Sequence, residues 1–305
     1  MPRFTILLLL LLLLSPAAFG DIVDDVREAL SQGSVALGDA ELRNYRKQHG
    51  VTPEVLEALS WMGRGALALK QLDKAEAYAQ ETEKLVREAL KGRTVDSDPH
   101  LAIALGAAIE VQAQVLAARG ARSDAVALLR KELLAWNRAS IRTRIQKNIN
   151  LLSLEGKPAP PLDEREFLGA KPAPLASLRG KPVLLFFWAH WCSDCKAESP
   201  ILAKLQRDYA ARGLTVIAPT QRYGYAAGGE DASAPQELKY IEEVRRRFYP
   251  DLLSDPAPIS EENFKLYGAS TTPTIVLIDR QGIVRLYHPG AMTEQELKSA
   301  IDSVV

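Results

Sequence analysis

Cysteine is almost missing from this chain: Cys192 and Cys195 are the two in 305 residues. Two cysteines cannot staple a disulfide scaffold. A closed zinc site takes four ligands, and no further thiolate exists to complete one. Net charge is missing as well, since 38 Lys and Arg offset 38 Asp and Glu. That balance removes the electrostatic case for nucleic acid or an acidic partner. Long apolar runs are scarce: the run at residues 4–14 is too short to span a membrane comfortably. Between residues 21 and 154 the Gly/Pro clusters that mark strands and turns are sparse.

What is present begins with a leader pattern. Arg3 supplies a positive start, residues 4–14 an apolar stretch, and residues 15–20 small residues for cleavage after Gly20. We expect residues 1–20 to be a secretory signal, with an uncleaved membrane anchor as the alternative. No cysteine follows the apolar stretch, so lipid attachment through a thiol has no acceptor there.

Residues 21–155 read as all-helical. Val55, Leu56, Leu59 and Met62 recur at helical spacing, as do Leu85, Val86 and Leu90, and Val126, Leu129, Leu133 and Leu134. Asp73 and Ser123-Asp124 are expected helix starts. Trp61…Gly65…Ala68…Ala75 resembles Ile109…Ala113…Leu116…Ala125, which suggests stacked helical hairpins of tetratricopeptide type. Their separation exceeds the usual 34-residue period. Such an array either offers a concave surface to a protein partner or is a packed bundle only. Arg130, Lys131, Arg138, Arg142, Arg144 and Lys147 form a basic stretch, expected to be a solvated helix face. Proline-rich residues 155–161 break the helices, and the domain boundary is placed there, leaving 156–305 as the second domain.

The stretch that carries chemistry is Trp188-Ala189-His190-Trp191-Cys192-Ser193-Asp194-Cys195-Lys196-Ala197-Glu198. The apolar run at 182–187 before it is too short for an ordinary helix and rich in strand formers. After it, Ile201, Leu202, Leu205 and Tyr209 have helical spacing. A buried strand therefore ends where a helix begins, and the cysteines lie at the junction. Helix N-termini favour anions, so Cys192 ionises more readily than a free thiol and is the expected nucleophile. Cys195, one turn on, is in reach to close a disulfide. A structural disulfide, or copper or zinc held by both thiolates with an external ligand, is the competing reading; no cofactor or metal is required.

These motifs resemble the thioredoxin superfamily, and within it the TlpA-like or ResA-like thiol-disulfide reductases of the bacterial envelope. The resemblance runs from Gly156 to the C-terminus. It rests on Gly156-Lys157-Pro158-Ala159-Pro160, on Leu178-Arg179-Gly180-Lys181-Pro182, on the Trp-Cys-x-x-Cys segment with Glu198 and Pro200, and on Thr271-Thr272-Pro273-Thr274 and Ile278-Asp279-Arg280-Gln281-Gly282. It implies an α/β thioredoxin-like fold with a central mixed sheet behind an all-α array. It also implies that Glu198 exchanges a proton with Cys195, a plain surface carboxylate being the alternative. Pro273 would follow a cis bond and face the disulfide, Thr272 would offer backbone to a substrate, and Trp191 would shape the surface at the sulfurs. Partners would be protein disulfides and an external thiol donor.

Around this centre, 162–178 is expected to form a hairpin, 214–218 a parallel strand, 236–248 a helix, and Thr293 with Glu296 a capping box. The Gly-rich loop 221–235 either covers the cysteines and selects substrates or is a mobile insertion. His190 either favours the Cys192 thiolate as an imidazolium or simply packs. The leading function is an exported thiol-disulfide oxidoreductase that reduces protein disulfides. The alternative is a partner-binding helical protein with an auxiliary thioredoxin-like domain. A peroxidase is disfavoured, because Ala189 holds the place where the related peroxidases carry threonine.

Overall fold

The computed structural model describes residues 21–305; the expected signal at 1–20 lies outside the described residues. Seven helices come first: α1 (Ile22–Ser31), α2 (Val35–His49), α3 (Pro53–Ala68), α4 (Leu72–Ala89), α5 (Pro99–Ala118), α6 (Arg122–Ala135) and α7 (Arg142–Ser153). Local chemistry sets several starts. Thr52 and Asp98 accept the N–H groups of Val55 and His100, each ahead of a proline in the first turn.

Asp73 and Ser123-Asp124 fall within first turns and cap nothing; Gln71 and Ala121 are the capping positions and make no side-chain cap bond. The preceding turn fixes these boundaries instead. Lys70 (φ 58°) and Gly120 (φ 86°) both adopt the left-handed conformation. Gln71 N–H donates to Ala66 O at 2.8 Å and Ala121 N–H to Leu116 O at 2.9 Å, the same closure in both hairpins. Ala75 and Ala125, equivalent in the two, are fully buried. The apolar α5 is the core helix, packed against α3, α4, α6 and α7. The basic stretch is not uniformly solvated. Arg144 and Lys147 are largely buried and pair with Glu110 of α5 at 2.7 and 3.3 Å, because α7 lies against α5.

The C-terminal part contains β1 (Phe167–Leu168), β2 (Val183–Phe187), α8 (Ser193–Tyr209), β3 (Thr215–Ile217), α9 (Ala234–Phe248), β4 (Ala257–Pro258), α10 (Glu261–Tyr267), β5 (Thr274–Ile278), β6 (Val284–Pro289) and α11 (Glu294–Asp302). The main sheet runs β3-β2-β5-β6, with β2 parallel to β3 and antiparallel to β5, and β5 antiparallel to β6. It is a mixed sheet of thioredoxin-like type. Both faces of β2 are covered, which explains its unbroken apolar run. Leu184 and Phe186 join a core with Leu202 and Leu205 of α8, Ile241 of α9 and Leu297 of α11. Val183, Leu185 and Phe187 face Phe264 and Tyr267 of α10.

Residues 162–178 are not a hairpin. β1 pairs antiparallel with the distant β4, as Phe167 with Pro258 and Leu168 with Ala257. Pro172 and Pro174 lack the N–H groups a returning strand needs. Across the proline-rich break, α7 packs on α10 and β6. Asn150 Nδ2 donates to Leu266 O at 3.3 Å, and Tyr287 N–H donates to Glu155 Oε1 at 3.1 Å. Gly268 (φ 63°) lies so close to α7 that a Cβ there would collide with the backbone nitrogen of Lys147.

Candidate active site

The chain leaves β2 through Trp188, which is buried, donates Nε1–H to Ala218 O at 3.0 Å and packs on Tyr249 with ring centroids 4.8 Å apart. Thr220 Oγ1 donates to the Trp188 carbonyl at 2.9 Å. The strand end is thus fixed before the cysteines begin. Cys192 is the N-cap of α8, and its Sγ accepts the Cys195 N–H at 3.0 Å. The two cysteines form a disulfide with Cα atoms 5.3 Å apart. Cys192 retains 3% exposure and Cys195 none. A donor N–H and the positive end of a helix at one sulfur favour charge there when the bond is reduced.

Of the two tryptophans, Trp188 is core, whereas Trp191 is 49% exposed. The pairing of Phe187 with Thr274 puts the start of β5 beside the end of β2. Thr272-Pro273, just before β5, therefore stands at the same sheet edge as the cysteine segment. The bond between them is cis, and Pro273 O accepts the Gly290 N–H at 2.8 Å. Thr272 Oγ1 is buried and unpaired.

Glu198 is no surface carboxylate. It is 3% exposed, one turn beyond Cys195 on α8. Oε1 accepts the Met292 N–H at 3.0 Å, and Oε2 is buried without a partner. Burial pushes its pKa from 4.5 up to about 7; Met292 N–H opposes the rise and Asp194 adds to it. Such an acid can take or return a proton near neutrality.

Burial works against an imidazolium at His190. It is buried, and desolvation draws its pKa below the ordinary value despite the opposing pull of Glu237. Its Nε2 lies 3.2 Å from Glu237 Oε1. Glu237 of α9 is itself buried and also accepts Tyr223 N–H at 2.5 Å and Gly224 N–H at 2.9 Å. Loop 221–235 is thereby held against the cysteine segment. The Tyr223 ring meets His190 and Trp191 in T-shaped contacts at 5.4 and 5.5 Å. Arg222 is paired with Glu166. Sequence reasoning missed Glu237 and Tyr249. An acid in the first turns of a helix reads as solvated, and nothing local marks Glu237 as buried.

A cavity of about 470 Å³ opens at the far end of β2, lined by Val183, Ile278 and Pro158. The disulfide is instead at a surface shaped by exposed Trp191. A parallel strand pair, a dithiol at the following helix N-terminus and a cis-proline before the adjacent antiparallel strand define a thioredoxin-like dithiol–disulfide protein.

Comparison with known proteins agrees. A thioredoxin-like domain profile matches residues 174–304. The thioredoxin-like protein YneN of Bacillus subtilis (strain 168) is 30% identical over 148 residues, covering 48% of this chain and 79% of that protein. The thiol:disulfide interchange protein DsbE of Pseudomonas fluorescens biotype C is 32% identical over 139 residues, covering 46% and 68%. The thiol-disulfide oxidoreductase ResA of Geobacillus thermodenitrificans (strain NG80-2) is 29% identical over 132 residues, covering 43% and 67%. The chain belongs to the thioredoxin-like family of thiol-disulfide oxidoreductases.

Proposed function

We propose that this protein is an exported oxidoreductase that reduces disulfides in other proteins. The observation that carries the reading is Cys192 Sγ at the N-cap of α8, accepting the Cys195 N–H at 3.0 Å. In the reduced enzyme the Cys192 thiolate attacks one sulfur of a substrate disulfide. A mixed disulfide forms and the first substrate thiolate leaves, taking a proton from solvent. Cys195 gives its proton to Glu198 and attacks Cys192 Sγ. The second substrate thiolate departs and is protonated, and the enzyme is left as the Cys192–Cys195 disulfide. The substrate gains two electrons and two protons; an external thiol donor restores the dithiol. Trp191, Thr272 and Pro273 are the proposed substrate-binding residues, supported by the exposure of Trp191 beside Cys192 and by the pairing of Phe187 with Thr274. Export rests on the leader pattern of residues 1–20.

The test is insulin reduction, with alkylation of the reduced protein across pH and mass-spectrometric assignment of the modified site. Cys192→Ser should abolish exchange, Cys195→Ser should trap mixed disulfides, and Cys192 should alkylate at the lower pH. Preferential reaction of Cys195 would reverse the assigned roles. N-terminal sequencing of protein recovered from an envelope fraction should begin at Asp21.

A further inference from the structure

The exchange chemistry makes no use of the loop after β3 or of the buried carboxylate that holds it. Glu237 is 1% exposed. A buried carboxylate is costly unless its oxygens are hydrogen-bonded. Here backbone N–H groups of Tyr223 and Gly224 supply two such bonds, and the His190 ring supplies a third in the tautomer that carries its proton on Nε2. The loop cannot lift away without stranding that carboxylate. It is therefore an anchored wall rather than a mobile insertion, and through Glu237 it is tied to His190, two positions before Cys192.

The anchored loop sets Tyr223 edge-on against Trp191 at 5.5 Å. Edge-to-face contact of this kind fixes ring orientation. Trp191 is then a large indole, supported on one side, 49% exposed, immediately before Cys192. A small disulfide would not need such a platform. A polypeptide laying its cysteine on Cys192 would bring a neighbouring side chain onto it, and apolar or aromatic side chains gain most from that contact.

We propose that Trp191 and Tyr223 form a recognition rim that selects polypeptide disulfides in which a large apolar or aromatic residue adjoins the cysteine, and that Glu237 is a positioning residue for this rim. The proposal rests on the oxidoreductase reading above.

The test measures kcat/KM for two disulfide-linked peptides, identical except for Phe or Ser beside the attacked cysteine, and for bis(2-hydroxyethyl) disulfide. The wild type should prefer the Phe peptide. Tyr223→Ala and Glu237→Gln should reduce that preference about fivefold, the size of one aromatic contact, mainly through KM. Tyr223→Phe, which keeps the ring edge, should retain it. Equal treatment of both peptides by the wild type overturns the rim. So does Tyr223→Ala that keeps the preference, or that lowers all three substrates alike. Tyr223→Ala leaves the buried carboxylate in place, so the outcome does not depend on the Glu237→Gln variant folding. No exchange by the wild type with any of the three substrates overturns the oxidoreductase reading itself.

Discussion

Glu198 and Met292 are joined by a 3.0 Å hydrogen bond from the Met292 N–H to Glu198 Oε1, which ties the active-site helix to the segment preceding α11. The other carboxylate oxygen is buried with no partner. One bond does not compensate burial of a full charge, and the group is held near neutral pKa as a result.

Burial raises the folded-state pKa from 4.5 to about 7. The folded protein therefore binds the proton more tightly than the unfolded chain does. The associated stability is fully present below pH 4.5 and is lost as pH rises through about 7. The displacement corresponds to on the order of 3 kcal/mol. Glu198→Gln cannot ionise, so its thermal stability relative to wild type should be greater at pH 8 than at pH 4. Scanning calorimetry of the oxidised proteins at both values is the check; an offset independent of pH would contradict the burial argument. The same variant should slow resolution by Cys195 and let mixed disulfides accumulate.

The paired helical hairpins give a second prediction. Lys70 and Gly120 occupy the same left-handed position in their turns. A residue with a Cβ pays roughly 1 kcal/mol there, and glycine does not. A Cβ on Gly120 would meet nothing within 4 Å, so Gly120→Ala isolates the backbone cost. Lys70→Gly should stabilise and Gly120→Ala destabilise, each by about 1 kcal/mol in urea unfolding. Changes of the same sign in both would mean that the two turns are not equivalent.

What could be read beforehand, and what could not, follows from the range of the interactions. Residues 182–187 declared a buried strand because every position was apolar, and the Thr293–Glu296 capping box is complete in sequence and in structure. Both depend on neighbours within a few positions. The pairing of β1 with β4 joins residues some ninety positions apart, and no local pattern specifies it. Arg144 and Lys147 read as solvated because their partner, Glu110, lies on another helix. Glu237 was invisible for the same reason: its three partners come from a loop and from the cysteine segment. His190 could be placed beside Cys192 but not assigned a charge, since burial decides that.

The contact between α7 and α10 bears on the domain boundary proposed at 155/156. The residues proposed to carry the chemistry all lie in 156–305, so that fragment should retain disulfide exchange. Cutting at 155/156 nevertheless strips α7 from Gly268 and removes the acceptor of the Tyr287 N–H. Fragment 156–305 should melt well below the full chain, and fragment 142–305, which keeps α7, should recover part of the difference. Complete loss of exchange in a folded 156–305 fragment would show that the helical part supplies an essential group.

The last prediction concerns the direction of electron flow. A couple becomes oxidising when its reduced thiolate is strongly stabilised. At Cys192 the stabilising features are the Cys195 N–H and the end of α8. A helix end contributes up to about 2 kcal/mol at a partly buried site. A two-electron couple moves about 30 mV for every 1.4 kcal/mol, so this effect amounts to some tens of millivolts at most. His190 would have been the cation able to add more, but its burial favours the neutral ring. Asp194, in the first turn of α8, adds negative charge beside the sulfurs and opposes the thiolate. With the principal stabiliser small and an imidazolium at His190 disfavoured by burial, the couple should be reducing. Its potential is expected near the roughly −270 mV of thioredoxin rather than the roughly −120 mV of the strongest exported oxidant. Equilibration in dithiothreitol and glutathione redox buffers measures it directly. A value close to the oxidant's would recast the protein as a disulfide donor, and would require a further stabiliser of the Cys192 thiolate beyond the Cys195 N–H and the end of α8.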